Sequence, residues 1–281
     1  MNGSAWRSAQ FLFARHVLRR TRLVARARYF DLRVHCFSDD VIGRHLYKRG
    51  AIERRMTETL IDRLVLPVGS VSFDVGANLG WYSLILDRLA QPGARVFAFE
   101  PDPDNFRLLL ANVEANGART VSPQQMAVSD RAGTETLHRY AGKNRGRHSL
   151  LPGAGTDPIE VLVTALDTFR AAQAPRAPVA FVKVDVEGYE LPVLAGLSGA
   201  LAARAVDCVQ FEYGGTRLDA RRRLQDACKL FEANGYAVHR LLADGVARFT
   251  YDSTRDEHYK YANFVATHDP GLLHRWGVPR A

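Results

Sequence analysis

The chain has 281 residues, of which 47% are apolar and 24% charged, so it can bury a globular core without disulfide or metal staples. Three widely spaced cysteines argue against a disulfide framework and a CxxC zinc site and suit a reducing compartment. No apolar run is long enough to span a bilayer, so we expect a cytoplasmic protein. Residues 1–30 hold seven arginines and no acid, which accounts for most of the net charge of +8, whereas nucleic-acid enzymes usually spread basic charge over the body.

The first 30 residues predict an amphipathic helical arm. At 100° per residue, one side carries large apolar residues and the opposite side carries arginines: Trp6, Phe13, Val17 and Val24 against Arg15, Arg19, Arg22 and Arg26. Such a helix suits peripheral contact with an anionic membrane, but it can equally pack on its own domain or on a second subunit. The arginine-rich, acid-free composition is also compatible with a transit peptide.

From residue 71 onward, short apolar strands alternate with helical stretches. Predicted strands cover Val71–Val75, Arg95–Phe99 and 125–128, and the helices between them cover 79–90 and the region around 106–113. This alternation predicts right-handed βαβ units and a parallel sheet.

Residues 131–170 interrupt the alternation and predict an insertion. Two β-like stretches, 134–138 and 159–164, flank a loop over 142–155 that is rich in glycine and basic residues. The sheet then resumes, and its predicted elements are strands at 179–186, 206–213, 236–242 and 261–267, with helices at 191–197 and 224–231. We therefore expect one α/β domain over residues 31–281.

The turn after the first strand, Phe73-Asp-Val-Gly-Ala-Asn-Leu-Gly80, is typical of a cofactor site. Gly76 and Gly80 permit close approach of a ligand to the backbone, and Glu100, about twenty residues later, can accept hydrogen bonds from both hydroxyls of a ribose. The spacing differs from GxGxxG, and Asp74 would repel a pyrophosphate but attract an ammonium group. These features favour S-adenosylmethionine over NAD or ATP; the alternative is a tight structural turn.

Four sequence blocks, taken in order, resemble the FkbM family of S-adenosylmethionine-dependent methyltransferases. The blocks are Asp74-Val-Gly-Ala-Asn-Leu-Gly-Trp-Tyr-Ser83, Phe99-Glu-Pro-Asp102, Ala127-Val-Ser-Asp130 and Val182-Lys-Val-Asp-Val-Glu-Gly188. They add Asn78, Pro101, Ala127 and Asp185 to the candidate cofactor-binding residues. The resemblance implies a class I, Rossmann-like fold with a seven-stranded, mostly parallel sheet and a reversed last strand. It also implies methyl transfer to oxygen, often on a sugar or a natural-product hydroxyl.

Lys183, Asp185 and Glu187 would lie on one side of a strand, at its carboxyl end. Methyl transfer to a hydroxyl needs a base, and Asp185 and Glu187 are the candidates, with Lys183 positioning a carboxylate or a substrate oxygen. His148, in the insertion, is a further candidate base. The alternatives are a structural ion pair at the strand end and a solvated loop histidine.

A magnesium site is the competing mechanism. Asp185 and Glu212 would end adjacent strands and could hold Mg²⁺. Two carboxylates are too few to define an octahedral site, and Tyr213 and two glycines follow Glu212 instead of further acids. We therefore expect no metal.

The sequence as a whole predicts an O-methyltransferase that acts on a hydroxyl of a carbohydrate, glycolipid or glycosylated metabolite. The alternatives are an N-methyltransferase and a non-catalytic binding module with the same fold. Retention of Asp74, Glu100 and Asp185 argues against the binding module, which has no need of a nucleoside site beside crevice acids.

Overall fold

The computed structural model describes residues 3–142, 144–214, 223–242, 245–256 and 261–275. Its N-terminal region contains helix α1 (Gly3–Leu12), a π-helical turn (Phe13–Val17), strands β1 (Arg22–Arg26) and β2 (Arg33–Phe37), and helices α2 (Val41–Arg49) and α3 (Arg54–Arg63). The α/β body follows. Its first half is β3 (Val71–Val75), α4 (Trp81–Leu89), β4 (Arg95–Phe99), α5 (Pro103–Ala115), β5 (Val121–Gln124), β6 (Ala127–Val128), β7 (Gly133–Arg139) and β8 (Asp157–Thr164). Its second half is α6 (Leu166–Gln173), β9 (Val179–Val184), α7 (Glu190–Ala195), α8 (Ser198–Ala202), β10 (Cys208–Tyr213), α9 (Leu224–Ala233), β11 (Ala237–Leu242), β12 (Gly245–Arg248), β13 (Ala262–Thr267) and α10 (Pro270–Arg275).

The body is a class I methyltransferase-type sheet with the strand order β12-β11-β13-β10-β9-β3-β4-β5. Five neighbouring strands are parallel to one another: β10, β9, β3, β4 and β5. Strand β13 lies between β10 and β11 and is antiparallel to both. The predicted α/β fold with a reversed last strand is confirmed. β12 adds an eighth strand at the edge, where it pairs with β11.

The third parallel strand lies earlier in the chain than predicted. It covers Val121–Gln124, whereas Ala127–Val128 pairs with β8 in a separate three-stranded sheet. Pro123 obscured this strand in the sequence, because proline cannot donate a hydrogen bond to a neighbouring strand. It is tolerated because β5 is the edge strand of the sheet. The hairpin expected in the insertion is present as β7 paired antiparallel with β8.

Helices cover both faces of the sheet. One face packs on helices α6 to α9, and a cluster of phenylalanine rings around Phe169 fills it. The other face packs on α1 to α5, with Trp81 almost fully buried. Within the described residues, no helix combines the length and the apolar character that crossing a membrane requires.

The N-terminal arm differs from the continuous helix that the sequence predicted. Helical structure ends at Val17, and Arg22–Arg26 is a strand paired antiparallel with β2. Val24 therefore does not continue the helical stripe, and the prediction is wrong from residue 18 onward. Phe11 packs on the ring of Tyr47 and anchors the arm to the domain. Trp6, Phe13 and Val17 nevertheless remain 64%, 54% and 64% exposed.

Candidate functional site

A cleft opens at the carboxyl ends of β3, β4 and β9. Its volume is about 520 Å³, which includes the solvent space at its open mouth. Six of the predicted cofactor-binding residues line it: Gly76, Asn78, Glu100, Pro101, Ala127 and Asp185. Sequence reasoning missed further polar side chains in the lining: Asn105, Arg145, Ser149 and Tyr189. The carboxyl edge of a parallel sheet, where successive loops diverge, is where such folds bind ligands.

The turn after β3 packs directly against the turn after β9. Gly76 has φ +81°, and a Cβ at this position would overlap the carbonyl oxygen of Asp185. Only glycine allows both this conformation and this approach. The two turns therefore form one continuous surface of the cleft.

Glu100 is held at the floor of the cleft by backbone donors. Its Oε2 accepts a hydrogen bond from the Asn78 N–H at 2.8 Å, and its Oε1 accepts one from the Asp102 N–H at 2.9 Å. Burial raises the pKa of Glu100 to about 8, against the opposing effect of these two donors. A carboxylate can accept about four hydrogen bonds, so both oxygens retain capacity for the hydroxyls of a ribose.

Two of the predicted cofactor residues lie away from the cleft. Asp74 is fully buried, its Oδ2 accepts a hydrogen bond from Ser83 Oγ at 2.6 Å, and it lies beside Lys183 in the strand register. The ammonium group that Asp74 attracts in this structure is therefore that of Lys183. Gly80 begins helix α4, and a Cβ there would lie 2.6 Å from Leu109, so this glycine serves helix packing.

Lys183 supports Asp185 from behind the cleft. Its Nζ donates to Asp185 Oδ2 at 2.9 Å and lies 4.5 Å from the centre of the Tyr82 ring. Burial lowers the pKa of Lys183, but the charges of Asp185 and other carboxylates outweigh burial and raise it. Lys183 is thus a buried ammonium group that fixes the Asp185 carboxylate, which is partly exposed at the cleft.

Glu187 does not continue the row of side chains that the sequence predicted. Strand β9 ends at Val184, and Glu187 has φ +53°, so the alternation of side chains stops before it. Its side chain does not line the cleft, whereas that of Asp185 does. The predicted placement of Glu187 beside Asp185 on one strand face is wrong.

His148 lines the cleft, but the lone pair on its Nδ1 accepts a hydrogen bond from the backbone. Its Nδ1 accepts a hydrogen bond from the Tyr140 N–H at 2.9 Å, which assigns the proton of the neutral ring to Nε2. Nε2 lies 4.0 Å from Asp102 Oδ2. Burial lowers the pKa of His148, which favours this neutral form. The arrangement leaves no nitrogen lone pair for a general base at this residue.

Sequence reasoning missed Glu53, which precedes α3 and keeps solvent access. The Tyr82 hydroxyl donates to Glu53 Oε2 at 2.6 Å. Desolvation of its carboxylate, followed by the charge of Asp185, raises the pKa of Glu53. No local pattern marks this residue, because it lies outside the motif blocks and joins the site only through tertiary packing.

Glu212 completes a group of carboxylates around Lys183. Burial, followed by the charges of Asp185 and Glu53, raises the pKa of Glu212 to about 10. Across the described ranges, no three His, Cys, Asp or Glu side chains are placed to hold a metal ion. In this structure Asp185 pairs with the Lys183 ammonium group, which is the structural ion pair that the sequence offered as an alternative.

Comparison with known proteins identifies the family. Residues 74–238 match the family model described as the methyltransferase FkbM domain. The hexuronic acid methyltransferase AglP of Haloferax volcanii is 31% identical over 157 residues, which cover 56% of this chain and 62% of that protein. The 31-O-demethyl-FK506 methyltransferase FkbM of Streptomyces tacrolimicus is 35% identical over 163 residues, covering 47% of this chain and 61% of that protein. The chain thus spans about three fifths of each of these relatives.

A solved structure shows the same kind of likeness at lower identity. The crystal structure of methyltransferase FkbM from Methylobacillus flagellatus KT is 17% identical, with a TM-score of 0.43 over 72% of this chain and 45% of that one.

Proposed function

The chain belongs to the FkbM methyltransferase family, and on that premise we propose that it transfers a methyl group from S-adenosylmethionine to a hydroxyl oxygen of a carbohydrate, glycolipid or glycosylated metabolite. One observation carries the proposal: a nucleoside-type carboxylate, Glu100, and a positioned candidate base, Asp185, line the same cleft. The first suits the donor, and the second suits an acceptor that must lose a proton.

The residues of the cleft fit S-adenosylmethionine. Glu100 would accept hydrogen bonds from the two ribose hydroxyls, and the peptide groups around Gly76 would approach the amino-acid portion. The bound cofactor supplies an electrophilic methyl group on a sulfonium centre. The protein contributes the alignment of the acceptor oxygen with that group, which provides a large part of the rate.

Asp185 is the proposed general base. Lys183 holds its Oδ2, so Oδ1 is the oxygen that would take the proton of the acceptor hydroxyl as the new O–C bond forms and the S–C bond breaks. General-base assistance of this kind contributes about 10²–10⁴-fold. Lys183 is buried behind the carboxylate and therefore acts as a positioning residue.

The relatives favour oxygen over nitrogen as the acceptor atom. Two of them are named for methylation of a hexuronic acid and of a demethylated oxygen in a natural product. Both names support an oxygen acceptor and the catalytic role proposed for the chain.

Incubation of the full chain with methyl-labelled S-adenosylmethionine and a panel of sugars tests the proposal. We expect label in an alkali-stable methyl ether with wild type, and much less label with E100Q when the cofactor is held below saturation. E114Q is the matched control, because Glu114 is exposed on α5 away from the cleft. Label only in amines would support the N-methyltransferase. Cofactor binding without transfer to any sugar or amine would support the binding module.

We also propose that the arm makes peripheral contact with an anionic membrane surface. It is docked through Phe11, yet it presents Trp6, Phe13 and Val17 to solvent in a segment with many arginines and no acid. Apolar side chains surrounded by arginines suit the interface of an anionic bilayer. Such contact would bring the enzyme to membrane-linked glycans.

A further inference from the structure

A second depression, of about 700 Å³, lies beside Glu53. Its lining is strongly basic: Arg28, His45, Arg49, Ala51, Glu53 and Arg54. These residues come from the segment after β1, from one face of α2 and from the start of α3. The N-terminal region therefore assembles a concave basic surface from three segments within residues 28–54.

The fold holds the side chains of two of these arginines, Arg28 and Arg54, in place. The Arg28 Nε donates to the Arg49 carbonyl oxygen at 2.8 Å, and the Arg28 N–H donates to the Gly50 carbonyl oxygen, also at 2.8 Å. Arg54 Nε donates to Glu58 Oε1 at 2.9 Å. Each of these side-chain bonds uses Nε. Glu58 offsets one of the three guanidinium charges, and the lining remains positive.

Glu53 connects the depression to the candidate base. Its Oε2 accepts the Tyr82 hydroxyl, and the Tyr82 ring lies against the Lys183 ammonium group that holds Asp185. Glu53 therefore lines the depression and is linked to Asp185 through Tyr82 and Lys183.

We propose that this depression binds the anionic group, a carboxylate or a phosphate, of the methyl acceptor, so that the acceptor is an acidic sugar. The inference rests on the proposed function, since it names the substrate class of the same site. Arginine forks match the geometry of carboxylate and phosphate oxygens, and His45 adds a ring nitrogen to the lining. The volume suits one sugar unit with its anionic group.

Calorimetric titration of the full chain tests the site with three probes: inorganic phosphate, glucuronate and, as the neutral match, glucose. S-adenosylhomocysteine is present throughout to fill the cofactor cleft. We expect one or both anions to bind and glucose not to bind. R49Q should weaken the anion by roughly tenfold or more. R44Q is the matched control, because Arg44 is exposed on the same helix outside the depression, and it should bind as wild type does.

The probes also separate the two chemical sources of the anion. Binding of glucuronate alone indicates a carboxylate acceptor, and binding of phosphate alone indicates a phosphorylated one. Equal affinity for glucose and glucuronate, or equal anion affinity in wild type, R49Q and R54Q, would overturn the proposal. A melting curve for each variant ensures that the comparison is made between folded proteins.

The cofactor provides a separate readout. Intact S-adenosylmethionine binding together with no anion binding would overturn the basic site and leave the methyltransferase assignment standing. Failure of the wild type to bind S-adenosylmethionine would instead overturn the proposed function.

Discussion

The cofactor cleft and the carboxylate group around Lys183 meet at Asp185 but are assembled differently. The cleft is built from residues that follow the neighbouring strands β3, β4 and β9. Gly76, Glu100 and Asp185 each belong to a short sequence motif at one of these strand ends. The carboxylate group joins Glu53 and Glu212, which are separated by most of the body. Local motifs thus specify the cleft proposed for the donor, whereas tertiary packing specifies the electrostatics around Asp185.

The largest expected effect concerns the residue that the two regions share. D185N keeps the shape of the side chain and removes its charge, so turnover should fall by about 10²–10⁴-fold while cofactor affinity stays nearly unchanged. Steady-state kinetics and calorimetry measure the two quantities. D62N, an exposed change on α3, is the control. A D185N enzyme with wild-type turnover would exclude Asp185 as the base.

The contact between the two turns should be the next most sensitive feature. G76A forces a Cβ into the Asp185 carbonyl oxygen and strains a φ of +81°, so we expect a loss of about 3 kcal/mol in unfolding free energy. G117A is the matched control, because Gly117 also has positive φ but has open space around it, and it should lose about 1 kcal/mol. Urea denaturation compares them. Equal losses would show that the contact adds nothing to backbone strain.

Glu100 tests the donor side alone. E100Q keeps the size of the side chain but replaces one acceptor oxygen with an amide group, so cofactor affinity should weaken by about 1.5–3 kcal/mol. Calorimetry with S-adenosylmethionine measures this change, and E114Q should bind normally. Turnover of E100Q at saturating cofactor should remain close to wild type, which distinguishes this residue from Asp185.

The raised pKa of Glu100 predicts a pH dependence of cofactor affinity. The ionised carboxylate accepts both ribose hydroxyls, so affinity should rise with pH from 6 toward 8, by up to about tenfold per unit, and then level off. In the cofactor-free protein, Glu100 should make the free energy of unfolding fall as the pH rises, which is the opposite direction to the change in cofactor affinity. The folded protein holds this proton between pH 4.5 and about 8 while the unfolded chain has released it, so stability falls as pH rises through that window. E100Q should lack both dependences.

The arm should give the smallest effect. Deleting residues 1–30 is a poor test, because Phe11, Leu23 and Ala25 are buried in the domain. Replacing the three exposed apolar residues together, W6S/F13S/V17S, leaves that packing intact. Flotation with anionic vesicles should weaken by about tenfold, and neutral vesicles should bind neither protein. Equal flotation of variant and wild type would exclude contact through these side chains.

The parallel direction of the central strands was predictable from the sequence. The buried strands β3, β4 and β9 are short, apolar and separated by helical patterns. Sequence reasoning misplaced the third strand because Pro123 conceals an edge strand. The helix predicted through residue 26 was wrong because pairing of β1 with β2 overrides helical periodicity. Periodicity describes one segment at a time, whereas strand pairing depends on a second segment.

The same reasoning applies to the site. The placement of Gly76, Asn78 and Glu100 in the cleft was predictable because chain-adjacent residues create the turns that they occupy. The position of Asp74 was not predictable, because its carboxylate lies beside a buried lysine on the neighbouring strand. Glu53 was missed because its importance arises from Tyr82, which reaches it across the fold.

The position of Glu53 has a consequence for how such enzymes diversify. It lies before residue 74, where the match to the family domain begins, as do the arginines of the basic depression. The residues proposed to bind the donor thus lie in one continuous segment, and the proposed acceptor contacts come largely from the chain before it. Chimeras that exchange residues 1–63 between relatives should alter which hydroxyl is methylated while donor affinity is inherited from the body.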